Sequence, residues 1–261
     1  MKTKNILYTL FNGVLLLTLA ACSKQGTLLY NANVLTVSVK GYNGDKEPLE
    51  VTVDTVQLME FSNGAFDARQ VYVFPNGQQN ARLTIREKAT GKVVMEKDLK
   101  KEDTPVSISF FYMDGKVSDM PELPSVEEGK LKLTYMFKPT ITGYTQPVDI
   151  VLGKYYFTPK VFEEITRIKN VKPYEFTAPV TLSTFSTASQ PYNGQNTSVL
   201  FLVYVYKAGT NEFYTQGSAY TFNATSSTAP KPASSAAASK LYIFSELPSG
   251  SVMRFNKDLE L

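Results

Sequence analysis

The chain has 261 residues, 27 of them basic and 24 acidic, with no histidine, no tryptophan, a single cysteine, and sixteen each of tyrosine and phenylalanine. The missing histidine removes the Ser-His-Asp triad, the Cys-His dyad, histidine metal sites and the usual neutral-pH proton shuttle. Two of the lysines, Lys2 and Lys4, lie at the extreme start, so the rest of the chain is close to neutral and offers nucleic acid no basic stripe.

The first element is a leader. Lys2 and Lys4 precede an apolar run over residues 6–19, too short to span a bilayer comfortably, and the run ends in Leu19-Ala20-Ala21-Cys22. A charged start, a short apolar stretch and small residues at the end form an export signal rather than a transmembrane helix. The Leu-Ala-Ala-Cys ending resembles the lipobox of bacterial lipoproteins. That resemblance implies removal of residues 1–21, acylation of Cys22 and permanent attachment to a membrane leaflet, because several acyl chains hold where one does not. Acylation would also consume the only thiol, leaving no disulfide, thiol nucleophile or cysteine-bound metal.

Residues 22–33 read as the lipidated cysteine and a short tether. The chain as a whole resembles the cell-envelope lipoproteins of Bacteroidetes, which implies an outer-membrane location. In that group an acidic cluster after the cysteine marks proteins for the cell surface, and Ser23-Lys24-Gln25-Gly26 carries none. The periplasmic and outer faces therefore both stay open.

The body reads as strands. Leu35, Val37 and Val39 alternate with polar residues, as do Leu49, Val51 and Val53, the period of a half-buried strand. Further strands are expected over 69–74, 82–87, 92–99 and 105–113, separated by Pro75-Asn76-Gly77, Thr90-Gly91 and Asp114-Gly115. This spacing predicts a first antiparallel β-sandwich over 34–117, immunoglobulin-like or transthyretin-like. The proline-rich 118–128 reads as a linker, and 129–222 as a second sandwich. In it, 199–206 is apolar on both faces like a central strand, 213–222 closes a hairpin, and 160–169 is a helix or a strand. Residues 223–239, rich in Ser, Ala, Thr and Pro, are expected to be a flexible linker, and 240–261 a terminal hairpin docked on a sheet edge of its own chain or of a protein partner. The fold class is all-β.

Candidate sites are few. Tyr155, Tyr156, Tyr192 and Asn193 are the residues that would serve a glycan, since tyrosine faces pack on pyranose rings while hydroxyls and amides bond at the rim. Tyrosines in antiparallel strands are more often half-buried cross-strand partners. Asp54-Thr55-Val56 resembles the O-glycosylation acceptor of Bacteroidetes exported proteins, which would make Thr55 the modified residue; it reads also as plain strand. Glu163-Glu164 and the group Asp114, Asp119 and Glu122 fit no catalytic or EF-hand spacing. No phosphate-cradling glycine loop, metal site or cofactor motif is present. The resulting expectation is a non-enzymatic lipoprotein, a binding or assembly module of the envelope. Two alternatives stand beside it, a fimbrial subunit that assembles by strand exchange and a glycan-capture lipoprotein serving an outer-membrane importer.

Overall fold

The computed structural model describes residues 33–103 and 105–261, and the leader, Cys22 and most of the tether fall outside them. The described chain is all β. Its first eight strands are β1 (Val34–Asn43), β2 (Leu49–Val53), β3 (Val56–Phe61), β4 (Gly64–Val73), β5 (Asn80–Glu87), β6 (Val93–Lys100), β7 (Val106–Met113) and β8 (Lys116–Ser118). They form two four-stranded sheets, ordered β4-β1-β7-β8 and β3-β2-β5-β6. The apolar alternates Leu35, Val37 and Val39 of one sheet and Leu49, Val51 and Val53 of the other are fully buried in one core. Burial of such side chains at about 1.5–3 kcal/mol each holds the two sheets face to face.

The second half contains β9 (Lys130–Lys138), β10 (Val148–Tyr156), β11 (Val161–Val171), β12 (Val180–Ser183), β13 (Gln190–Tyr192), β14 (Gln195–Thr197), β15 (Val199–Lys207), β16 (Ala238–Glu246) and β17 (Phe255–Glu260). Its sheets are ordered β12-β9-β16-β17 and β11-β10-β15, around a core that includes Leu133, Tyr135, Ile150, Val203 and Phe244. The strand plan repeats that of the first half. In each sandwich the opening strand pairs antiparallel with the fourth (β1 with β4, β9 with β12) and parallel with a late one (β1 with β7, β9 with β16). The late strand then carries a short antiparallel neighbour, β8 or β17, and the second strand lies between the third and a later one (β2 between β3 and β5, β10 between β11 and β15). Two parallel pairs within otherwise antiparallel sheets follow from bringing the first and last long strands of each sandwich side by side.

Four local expectations change. Residues 161–169 belong to strand β11, paired along β10, where β-branched Val161, Ile165 and Thr166 suit the pleat, and Lys160 lies in the turn before it. The approach of β11 is close at Gly153, where a Cβ would stand 2.3 Å from the Glu163 carbonyl oxygen, so only glycine fits. Strand β15 is not central: it ends its sheet, and its two-sided apolar character reflects other covers. One is the irregular segment 213–229, which bonds its edge through Tyr214 N to Val205 O (3.1 Å) and Ala229 N to Val203 O (2.8 Å). That segment replaces the expected 213–222 hairpin, of which only a bridge between Tyr206 and Phe213 exists. Residues 223–237 are irregular as their composition suggests, yet packed: Ser227, Ala229 and Ser234 are buried, and Ser227 and Ser234 donate to Met253 O and Phe185 O, while Ala238 and Ser239 already belong to β16.

The terminal pair β16–β17 is a hairpin whose first strand runs parallel to β9 in the middle of a sheet. Leu241, Tyr242, Ile243 and Phe244 are essentially inaccessible to solvent. The outer face of this sheet meets the first sandwich through Tyr42, Phe111, Met136, Leu241, Ile243 and Leu259, with Met120 and Leu123 of the intervening segment packed on the same cluster. At its centre Lys138 donates to the Tyr42 hydroxyl (2.8 Å) and pairs with Asp258 (3.5 Å).

Candidate functional site

Strand β10 presents Tyr155 and Tyr156 to opposite faces, as the period of two requires. Tyr156 turns toward the hairpin β13–β14 and meets Tyr192, with ring centroids 4.5 Å apart and a 40° tilt. The hairpin exists because Asn193 (φ 48°) and Gly194 (φ 81°) both adopt the left-handed conformation that a two-residue turn between twisted strands demands. Asn-Gly is a strong sequence signal for such a turn, and it makes a built hairpin of residues 190–197. Tyr192 and Asn193 line a cleft of about 320 Å³ with Thr158, Pro159, Gln195 and Thr197. Burial pushes the Tyr156 phenol up, and its hydrogen bond to Glu163 pushes the same way, so it stays a neutral donor.

Tyr155 takes no part in this cleft. It packs with Leu202 and Tyr204 on the opposite face of the sheet, beside Phe157 at 5.6 Å. Three of the four residues marked by sequence thus gather at one end of β10, and the fourth belongs to a separate apolar cluster.

At the other end of β10 lies a hollow that the sequence reading missed. It measures about 470 Å³ and is lined by Tyr144, Tyr174, Pro139, Pro147 and Pro173, with Lys172 and Glu175 on the rim. Tyr174 holds φ at 65°, a region costly for an aromatic residue, and its N–H is fixed by the Phe137 carbonyl at 2.9 Å. The signal available in the sequence was the bracketing of tyrosines by Pro139, Pro147 and Pro173, which stiffen both connections. Burial raises the phenol pKa of Tyr144 and of Tyr174, so both hydroxyls remain protonated.

Thr55 lies exposed in the two-residue turn between β2 and β3, beside Asp54 at φ 50°. The Asp54 carboxylate accepts from Arg82 N (2.9 Å), Gln78 (2.7 Å) and the Tyr72 hydroxyl (3.0 Å). Among the described residues no three His, Cys, Asp or Glu side chains are grouped to hold a metal ion. Glu164 is engaged by Arg167 at 2.7 Å, and its neighbour Glu163 by Tyr156.

No family model matches the chain, and no curated protein does. Among solved structures, a Bacteroides ovatus protein provisionally described as a cell adhesion protein aligns over 87% of this chain and 96% of its own, at 8% identity and a TM-score of 0.18. Bacteroides thetaiotaomicron proteins provisionally described as polysaccharide binding align over 84% of this chain and 92% of their own, at 7% identity and a TM-score of 0.16. No residue of this chain takes a role from either.

Proposed function

We propose that the chain is a lipid-anchored, non-enzymatic binding module of the bacterial cell envelope, held at the outer membrane through acylated Cys22. The observation that carries the reading is the meeting of Tyr156 with Tyr192, 36 residues further along the sequence, beside a cleft that Tyr192 and Asn193 line. The absence of histidine and of a thiol outside Cys22 supports binding over catalysis. An exposed Thr55 at a hairpin tip suits modification by a glycan. Strand exchange through 240–261 is the less favoured alternative, since β16 would have to leave its place between β9 and β17.

The test is made in cells expressing the tagged full chain, by metabolic labelling with palmitate, membrane fractionation and protease treatment of intact cells. Label on the wild type that disappears in Cys22→Ala, with release of the variant into the soluble fraction, is the expected result. An unlabelled wild type, or a Cys22→Ala variant that stays on the membrane, would overturn the anchor. Protease cleavage before or only after permeabilising the outer membrane assigns the face.

A further inference from the structure

The hollow between Tyr144 and Tyr174 is one part of a longer groove. A second hollow of about 280 Å³ along residues 168–178 shares Lys172 and Glu175 with it, and a third of about 400 Å³ shares Lys169 and Asn170 with the second. The third ends at Arg167, Thr210 and Asn211. The groove therefore runs around one end of the second sandwich, from a ring-lined pocket to a polar notch.

The ring-lined end is walled by connections in which the two sandwiches differ, and the polar end by β10, β11 and the turn 209–211. The first sandwich joins its first and second strands through residues 44–48 and its third and fourth through 62–63; the second uses 139–147 and 172–179 at the same places. Connections longer than the topology needs are where binding surfaces are built. Here they are also held rigid. The buried Glu246 carboxylate accepts from Ile141 N (2.6 Å), Thr142 N (2.7 Å), the Thr142 hydroxyl (2.5 Å) and the Tyr214 hydroxyl (2.8 Å), fixing 139–147 from behind. The buried Asp149 carboxylate accepts from Asn170 N (3.0 Å) and Gly209 N (3.0 Å) and pairs with Arg167 (3.1 Å), which also donates to Thr210 O. Asn170 (φ 56°) and Tyr174 (φ 65°) are both left-handed without being glycine. Burying a carboxylate costs several kcal/mol before its bonds are counted, and a bulky left-handed residue costs about 1–3 kcal/mol. All four features serve the shape of the same groove, which is the preorganisation a ligand site requires.

The lining selects the ligand. Rings of tyrosine and proline offer flat apolar faces at one end, as a pyranose does on its C–H side. At the other end Arg167 occupies Asn211 Oδ1 (2.5 Å) and so leaves the amide NH₂ to donate, beside the Asn170 amide. Charge in the groove is nearly balanced: Arg167 faces Asp149 and Glu164, and Lys172 faces Glu175. A polyanion would gain little there. We propose that this groove binds an uncharged oligosaccharide, with one pyranose seated between Tyr144 and Tyr174 and further units running past Lys169 toward Asn211. The proposal rests on the binding-module reading, names its ligand class, and seats the ligand in this groove rather than in the cleft at Tyr192.

The experiment uses the full chain, extracted in detergent, on an array of neutral oligosaccharides, uronate-containing oligosaccharides and peptides, with titration of the hits. Tyr174→Gly removes the ring at a position whose backbone glycine suits, so the fold is kept, and its melting temperature reports that directly. The expected result is a neutral hit whose affinity falls about tenfold or more in Tyr174→Gly, falls also in Asn211→Ala, and changes less than about twofold in Tyr192→Ala. Hits confined to acidic glycans or peptides, or a neutral hit lost in Tyr192→Ala but kept in Tyr174→Gly, would overturn the groove assignment. Binding through the Tyr192 cleft would leave the binding-module reading standing, and palmitate labelling of the same preparations reports the anchor independently of either.

Discussion

The two sandwiches share one strand plan and differ at two places. In the first, β5 carries β6 along a full antiparallel ladder. In the second, the matching edge of β15 is closed by the irregular segment 213–229, with two backbone bonds and the Thr228 hydroxyl accepting from Val203 N. The ends differ as well. The short connection 44–48 of the first sandwich is filled by Asp45, whose carboxylate accepts from Asp114 N and Gly115 N at 2.8 Å each. The longer connections of the second stand apart and enclose hollows. A common core thus tolerates one end that is closed by a local cap and another that is propped open by carboxylates fixed in the core behind it.

Removing 240–261 is the most severe way to break the comparison. The first sandwich keeps every strand, whereas the second loses β16 and β17 and the burial of Leu241, Tyr242, Ile243 and Phe244. At about 1.5–3 kcal/mol per side chain the loss rivals the whole stability of a domain, about 5–15 kcal/mol. The second sandwich should lose its cooperative transition in near-ultraviolet circular dichroism. A folded truncated chain that forms polymers less readily would instead favour strand exchange.

Glycine substitutions sharpen the comparison with a smaller effect. A Cβ at Gly41 would stand 2.0 Å from the Phe110 carbonyl oxygen, and one at Gly153 2.3 Å from that of Glu163. Both neighbours are backbone, so strands must separate, at about 1–3 kcal/mol or more. In urea, Gly41→Ala should lower the midpoint of the first sandwich, and Gly153→Ala that of the second. Equal shifts of a single transition in both variants would show that the junction around Tyr42, Phe111 and Lys138 couples the halves into one unit.

Acid should produce the smallest difference, weighted toward the first sandwich. Burial opposes ionisation of Asp54, but hydrogen bonds from Arg82 N, Gln78 and Tyr72 outweigh it and hold its pKa low. The hydroxyls of Thr90 and Tyr112 do the same for Glu87, against burial, with Lys92 assisting. A carboxylate whose pKa is depressed on folding contributes stability above its unfolded value, and the contribution is lost as pH falls through the folded value. Melting temperatures should therefore decline below about pH 4, and Asp54→Asn with Glu87→Gln should flatten that decline. Both groups lie near solvent, so the change is modest.

How much of this was legible in the sequence varied with the range of the interactions. The alternation at Leu35, Val37 and Val39 identifies a strand because it reports one residue's neighbours two places away. Asn193-Gly194 carries its own turn chemistry and is legible for the same reason. Residues 160–169 were ambiguous because Val161, Ile165 and Ile168 satisfy a helical stripe while their β-branched side chains suit a strand, and only pairing with β10 decides between them. The apolar run of β15 suggested a central strand, since hydrophobicity records that a residue is covered and not what covers it.

The sequence alone determined the all-β class, because that depends on short patterns read within a few residues. Tertiary structure decided the rest. It brought Tyr156 to Tyr192 and sent Tyr155 to the other face, inserted β16 beside β9 across a hundred residues of chain, and directed Glu246 and Asp149 to the backs of distant loops. These placements arise from the parallel closure of each sandwich and from the need of a buried carboxylate for several donors, which no local pattern encodes.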